Sequence, residues 1–141
     1  MHEALSKSHF EQDVEFLSER LVEAKRWIVH SKDYPHVEVT FLGSRPLRVR
    51  LLCDNWPELP PSAILMSADG SDPKNLPGSV FHQDAHPITG KPFICMRGFR
   101  EYHTHSSHLG DRWENYRGQD GMNLPGLLVQ LSSAWRKAVG P

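Results

Sequence analysis

The residue with the most chemical promise is Cys95. It ends the short apolar run Phe93-Ile94 and is followed by Met96-Arg97-Gly98, so a thiol leaves a buried segment beside a cation and a glycine turn. Positive charge near a thiol favours the thiolate, which is the nucleophilic form. On these local features a second buried, structural cysteine stays open as the alternative. Nine histidines occur in the chain, and four of them (His86, His103, His105 and His108) lie close to Cys95 in sequence. His103, His105 and His108 fall within six residues. Imidazoles so grouped are able to ligate zinc, with Cys95 or Glu101 as a fourth ligand, although the spacing is not that of a standard zinc module. The other reading of this run is a polar loop with one histidine that contacts Cys95 and holds or activates it. No triad signature, phosphate-binding glycine loop or nucleotide fingerprint is present, and Cys95 does not stand at a helix start as a papain-like nucleophile would.

The elements that must position these residues are legible from hydrophobic periodicity. Phe10, Val14, Leu17, Leu21, Ala24 and Ile28 recur at spacings of three and four, which predicts one amphipathic helix over residues 2–30. Tyr34-Pro35 interrupts it. Val37, Val39 and Phe41 alternate with His36, Glu38 and Thr40, and Leu47, Val49, Leu51 and Cys53 alternate with Arg48, Arg50 and Leu52. The turn Gly43-Ser44-Arg45-Pro46 joins these two strands, so they pair antiparallel. Cys53 lies on the apolar face, where burial makes a thiol inert. The connector Trp56-Pro57-Glu58-Leu59-Pro60-Pro61 leads to a third strand at Ala63 to Met66. Residues 67–79 form a loop, and 80–112 show no period, which makes them a long irregular segment of the kind that usually carries function. Asn123 caps a last helix with Pro125 in its first turn, an apolar face of Leu127, Leu128, Leu131, Ala134, Trp135 and Ala138, and Gly140 at its end. The expected class is α+β, a single domain over residues 1–141, with an N-terminal helix, an antiparallel meander of three or four strands, a cysteine-bearing loop and a C-terminal helix.

Composition narrows the function classes. The 141 residues are 38% hydrophobic and 23% charged, with a net charge of -1, so no electrostatic case exists for nucleic acid or an anionic membrane as partner. No apolar run approaches the roughly 20 residues of a spanning helix. Met1 to Phe10 is polar and lacks an apolar signal region, so a cytoplasmic protein is expected. Two cysteines in such a protein are not a disulfide framework.

Taken in order, the motifs resemble those of ubiquitin-conjugating (E2-type) enzymes. Pro57-Glu58-Leu59-Pro60-Pro61 is similar to the proline-rich segment before the third strand of that family. His86-Pro87, then Gly90, then Ile94-Cys95 resembles the histidine-proline-asparagine motif that leads to its active cysteine. Trp113 and the helix from Leu127 to Trp135 resemble the tryptophan and helix that follow. The run Cys95, Arg97-Gly98, Glu101-Tyr102 and the histidines looks like the prokaryotic E2-like branch, found in operons with a ubiquitin-like protein and an E1-like activating enzyme, several of them implicated in antiviral defence. The resemblance spans nearly the whole chain. It implies a UBC-like fold, Cys95 as the thioester-forming nucleophile, and His86 as a brace for its loop. It also implies an E1-like activating enzyme, a ubiquitin-like protein and a target protein as partners, and no cofactor. Arg97, Glu101, His103, His105 and His108 then stand as supporting residues. The family's asparagine falls on Ile88, which has no side-chain donor, leaving backbone amides, Thr89 or a histidine from 103–108 to serve an oxyanion. The family's two C-terminal helices and its acidic gate residue have no counterpart here, and Glu101 and Asp120 are the acidic side chains offered in that role. A zinc-binding accessory domain and a non-catalytic scaffold are the alternatives.

Overall fold

The computed structural model describes residues 1–141. Its first departure from the periodicity reading is at the N-terminus. Helix α1 covers only Glu3–Val14, with His2 as its cap. Ser18 then opens a second helix, α2 (Glu19–Lys25), by accepting the Leu21 amide on its hydroxyl at 3.2 Å. Arg26, left-handed at φ 57°, closes α2 and turns the chain into strand β1 (Trp27–Ser31). The single helix expected over 2–30 is therefore two helices and a strand. Ile28 matched the helical spacing by coincidence, and it is a strand residue 45% exposed.

Strands β1, β2 (His36–Phe41), β3 (Leu47–Leu52) and β4 (Ser62–Met66) form an antiparallel sheet in chain order. Register puts Val37 opposite Leu51, Val39 opposite Val49, and Phe41 opposite Leu47, while Ala63 and Leu65 face Leu51 and Val49. Because side chains alternate, these residues share one face, and all are buried. Cys53, fully buried, extends that face as expected. Glu38 and Thr40 are also buried, although their positions in the alternation belong to the opposite face. Locally, Arg48 and Arg50 on β3 both bind the Glu38 carboxylate, and the Thr40 hydroxyl pairs with His30 Nε2 at 2.8 Å.

The irregular segment contains more structure than its sequence suggests. Strands β5 (Phe81–His82) and β6 (Phe93–Ile94) make a separate two-stranded ribbon. A one-turn helix α3 (Arg100–His103) and two short 3-10 turns, Ser106–His108 and Trp113–Asn115, follow. Helix α4 (Leu124–Val139) closes the fold, with Asn123 accepting the Gly126 amide at 2.8 Å. Leu124, Leu127, Leu128, Leu131 and Trp135 carry its buried face, whereas Ala138, expected on that face, is exposed. Trp135 donates its indole N–H to the Arg45 carbonyl at 2.6 Å and meets Phe81 edge-on at 5.0 Å. That residue thus ties α4 to both the β2–β3 turn and the ribbon. The architecture is α+β, with an N-terminal helix, a four-stranded antiparallel sheet and a C-terminal helix. No helix is long and apolar enough to cross a membrane.

Candidate active site around Cys95

Cys95 stands where β6 ends. Its amide donates to the Val80 carbonyl at 2.7 Å, which holds it against the ribbon's other arm. Phe93 and Ile94 before it are buried, so the apolar anchor is fixed and the cysteine emerges half-exposed. The sulfur has one polar side-chain neighbour, His108 Nε2, at 3.4 Å. Burial pushes the Cys95 thiol above its ordinary range. The expectation that Arg97 lowers it fails, because the Arg97 guanidinium turns away to Asp111 Oδ2 at 2.8 Å and lies over the Tyr116 ring. The resting group is a protonated thiol beside an imidazole that can accept its proton.

His108 is held in place by stacking and not by charge. Its ring lies parallel to Tyr102 with centroids 4.1 Å apart. Tyr102 in turn donates to Asp111 Oδ2 at 2.5 Å, and Tyr116 donates to Asp111 Oδ1 at 2.5 Å. One carboxylate therefore gathers two phenols and a guanidinium. These donors, the two hydroxyls first, hold the Asp111 carboxyl well below the usual range. A depressed folded-state pKa contributes stability that is fully present above the unfolded value, about 4, and is lost progressively as pH falls from there through the lower folded-state value. Asp111→Asn is therefore expected to lower the urea midpoint at pH 7, and the gap from wild type should narrow progressively as pH falls below about 4. Equal midpoints at pH 7 would show that the node is not stabilising.

His86 is 1% exposed. The Ile88 and Thr89 amides point at its Nδ1 at 3.1 and 3.4 Å, so Nδ1 accepts and Nε2–H donates to the Glu101 carbonyl at 2.8 Å. That tautomer is set by its neighbours and leaves no nitrogen for proton transfer, which is the geometry of a loop brace. Burial pushes the Glu101 carboxyl up, and it accepts the Ala63 amide at 2.5 Å and the Ser62 hydroxyl at 2.8 Å. It is thus a link between α3 and β4, and the roles of zinc ligand and acidic gate offered for it are withdrawn. Asp120 sits in the turn before α4, lining a hollow with Met1, His9 and Asp13. Ile88 is 71% exposed.

The three clustered histidines do not converge. His103 accepts the Gly98 amide on Nε2 at 3.0 Å, so its Nδ1–H donates to the Asp111 carbonyl at 2.8 Å, and burial lowers its pKa. His105 stacks on Phe93 and takes Ser107 donors on Nδ1. Only His108 reaches Cys95. No group of three His, Cys, Asp or Glu side chains is placed to hold a metal ion, so the zinc cluster considered from spacing is not assembled. Asp111, the organising residue, was missed from sequence. Its signal was weak: one acid between Gly110 and Arg112, with Tyr116 five and Tyr102 nine residues away at no regular spacing.

Comparison with known proteins places these residues in a family. The protein described as "Uncharacterized protein y4jH" from Sinorhizobium fredii (strain NBRC 101917 / NGR234) is 47% identical over 47 residues, 33% of this chain. The chain spans only 23% of that relative's length. A broader match to the Y4jH-like family covers residues 55–141, more than half of the chain and every residue of the Cys95 site, and the chain belongs to that family.

Proposed function

We propose that this chain has the UBC-like fold of ubiquitin-conjugating enzymes and carries a ubiquitin-like protein as a thioester on Cys95. An E1-like activating enzyme supplies the cargo, and an amine on a target protein receives it, in a bacterial antiviral conjugation system. The observation that carries this reading is the half-exposed Cys95 thiol at the ribbon's exit with His108 Nε2 at 3.4 Å. The order of elements, a first helix, a four-stranded meander, the His86 turn, the cysteine and a closing helix, supports it.

The chemistry follows from the groups present. The Cys95 thiol gives its proton to His108 Nε2, and the sulfur attacks the glycyl carbonyl carbon of the activator-bound thioester. The tetrahedral adduct collapses by breaking the bond to the activator's sulfur, which leaves as thiolate and takes up a proton. In the second step an amine nitrogen attacks the Cys95 thioester, an amide bond forms, Cys95 leaves as thiolate, and the amine's proton returns to it through His108. A thioester suits this task because thiolate is a good leaving group and the protein chiefly supplies position. The raised thiol makes the imidazole matter, since little thiolate is present at neutral pH without it.

The test mixes the protein with its operon's activator, ubiquitin-like protein and ATP, and compares non-reducing with reducing gels. A thiol-sensitive adduct supports the reading, and its absence with a demonstrably active activator sinks it. His108→Ala is expected to slow adduct formation about 100-fold at pH 7, and the variant's rate should climb about tenfold per pH unit as hydroxide replaces the imidazole. A variant with wild-type rate and pH profile would remove His108 from the mechanism.

A further inference from the structure

His108 lies where three elements meet. It ends the Ser106–His108 turn, its Nε2 stands 3.4 Å from Cys95 Sγ at the exit of β6, and its ring is covered by Tyr102 of α3. When the thiol proton passes to Nε2, the imidazole becomes a cation beside a thiolate. In a catalytic triad a third group, often a carboxylate behind the ring, steadies that cation. None does so here. No carboxylate stands within ion-pair distance of His108, and its side chain makes one hydrogen bond, the one to the sulfur. A second imidazole, His105 of the same stretch, is 6.0 Å away between ring centroids and brings no negative charge.

What faces the imidazole is the Tyr102 ring. The two planes are 15° from parallel with centroids 4.1 Å apart, inside the range at which an aromatic face attracts a cation. The phenol keeps that face in place by donating to Asp111 Oδ2. Donation to a carboxylate also polarises the phenol and strengthens the negative face of its ring. Arg97 Nε, 2.8 Å from the same carboxylate oxygen, balances the Asp111 charge, so the node adds no net charge beside His108. The Asp111 amide donates to the His108 carbonyl at 2.9 Å, which ties the turn to the same node.

We propose that Tyr102 is a positioning residue for the Cys95 thiol: its ring face stabilises the His108 imidazolium and takes the place of the carboxylate that is missing behind that histidine. The proton moves from Sγ to Nε2, the electron pair stays on sulfur, and the charge left on the imidazole rests against the Tyr102 face. Tyr102 touches neither the sulfur's electrophile nor the proton in flight, so it acts only through His108. This role goes beyond the thioester reading, because it applies to any electrophile that Cys95 attacks.

The experiment alkylates the full chain with iodoacetamide across pH 5–10 and counts the product at Cys95 by mass, with buried Cys53 as the unreactive internal control. It compares Tyr102→Phe with the same position carrying pentafluorophenylalanine. Both have the shape of the native ring and both lack the phenol, so the pair differs in the charge of the ring face. At pH 7 the fluorinated protein should react about fivefold more slowly than Tyr102→Phe. The two rates should converge at high pH, where the thiolate forms without help from the imidazole. In a His108→Ala background the difference should vanish, since the ring then has no cation to face. Equal rates at pH 7, a gap of the same size at every pH, or a gap that persists without His108 would each overturn the proposal. Because iodoacetamide stands in for the cargo, none of these outcomes bears on whether a ubiquitin-like protein is carried.

Discussion

Cys95→Ala is expected to abolish the thiol-sensitive adduct with the ubiquitin-like protein completely while leaving the folded state intact. The fold should survive because the side chain removed is half-exposed and its sulfur has a single polar neighbour, His108, which is itself only partly buried. The backbone bond from Cys95 to Val80 does not depend on the side chain. Cys53→Ala is the matched control. Cys53 is fully buried in the core, its thiol pushed far above the usual range by burial, so its loss should cost stability of about 1 kcal/mol and leave the adduct untouched. Adduct formation and a urea melt on both variants check the pair. An adduct that persists in Cys95→Ala, or that vanishes in a well-folded Cys53→Ala, would reverse the assignment.

Gly98→Ala should be among the most damaging single substitutions in the chain. Gly98 is buried at φ 97°, a left-handed conformation unfavourable for any side chain. A Cβ there would also stand 2.3 Å from Leu127 Cδ2, on the fully buried face of α4. Left-handed strain and overpacking each cost about 1–3 kcal/mol, so a loss of about 3 kcal/mol is expected from denaturant midpoints. Gly90→Ala separates the two causes. Gly90 is also left-handed, at φ 70°, but a Cβ there meets nothing within 4 Å. It should lose about 1 kcal/mol, the strain alone. Equal losses in the two variants would show that Leu127 yields and that the close approach of turn and helix is not a constraint.

The α+β order was legible wherever a side-chain period lasted longer than a turn. Strands β2 and β3 announced themselves by alternation, β4 by the short apolar run Ala63 to Met66, and α4 by its cap and apolar face. The first 30 residues misled because Ile28 continues the stripe of Phe10, Val14, Leu17, Leu21 and Ala24 from two helices into a strand. Periodicity does not register a break that conserves phase, although Ser18 is a helix-cap residue and Trp27-Ile28-Val29 has strand character. At the site, a cysteine with nearby histidines was visible in the sequence, while a bracing role for His86 was only what the resemblance implied. Which imidazole meets the sulfur was not, because His108 reaches Cys95 only through its stacking on Tyr102 and the anchoring of Tyr102 by Asp111. Those are contacts between side chains that no local pattern relates. Arg97 misled for the same reason: adjacency in sequence to Cys95 says nothing about which way a long side chain turns.

Cys95 is carried by a ribbon of two short strands that exchanges no ladder bonds with the four-stranded sheet. Its tether on the opposite arm is one amide-to-carbonyl bond to Val80. What holds the ribbon is apolar packing: Phe81 and Ile94 are buried members of the main core and Phe81 meets Trp135, so opening it exposes core surface and should cost much of the free energy of complete unfolding. In native-state hydrogen exchange the Cys95 amide should therefore show a denaturant dependence close to that of the Val39 and Val49 amides, which share that core. The Cys95 sulfur then sits on an element held by side-chain packing and not by ladder bonds, so its position is as durable as the core beneath it.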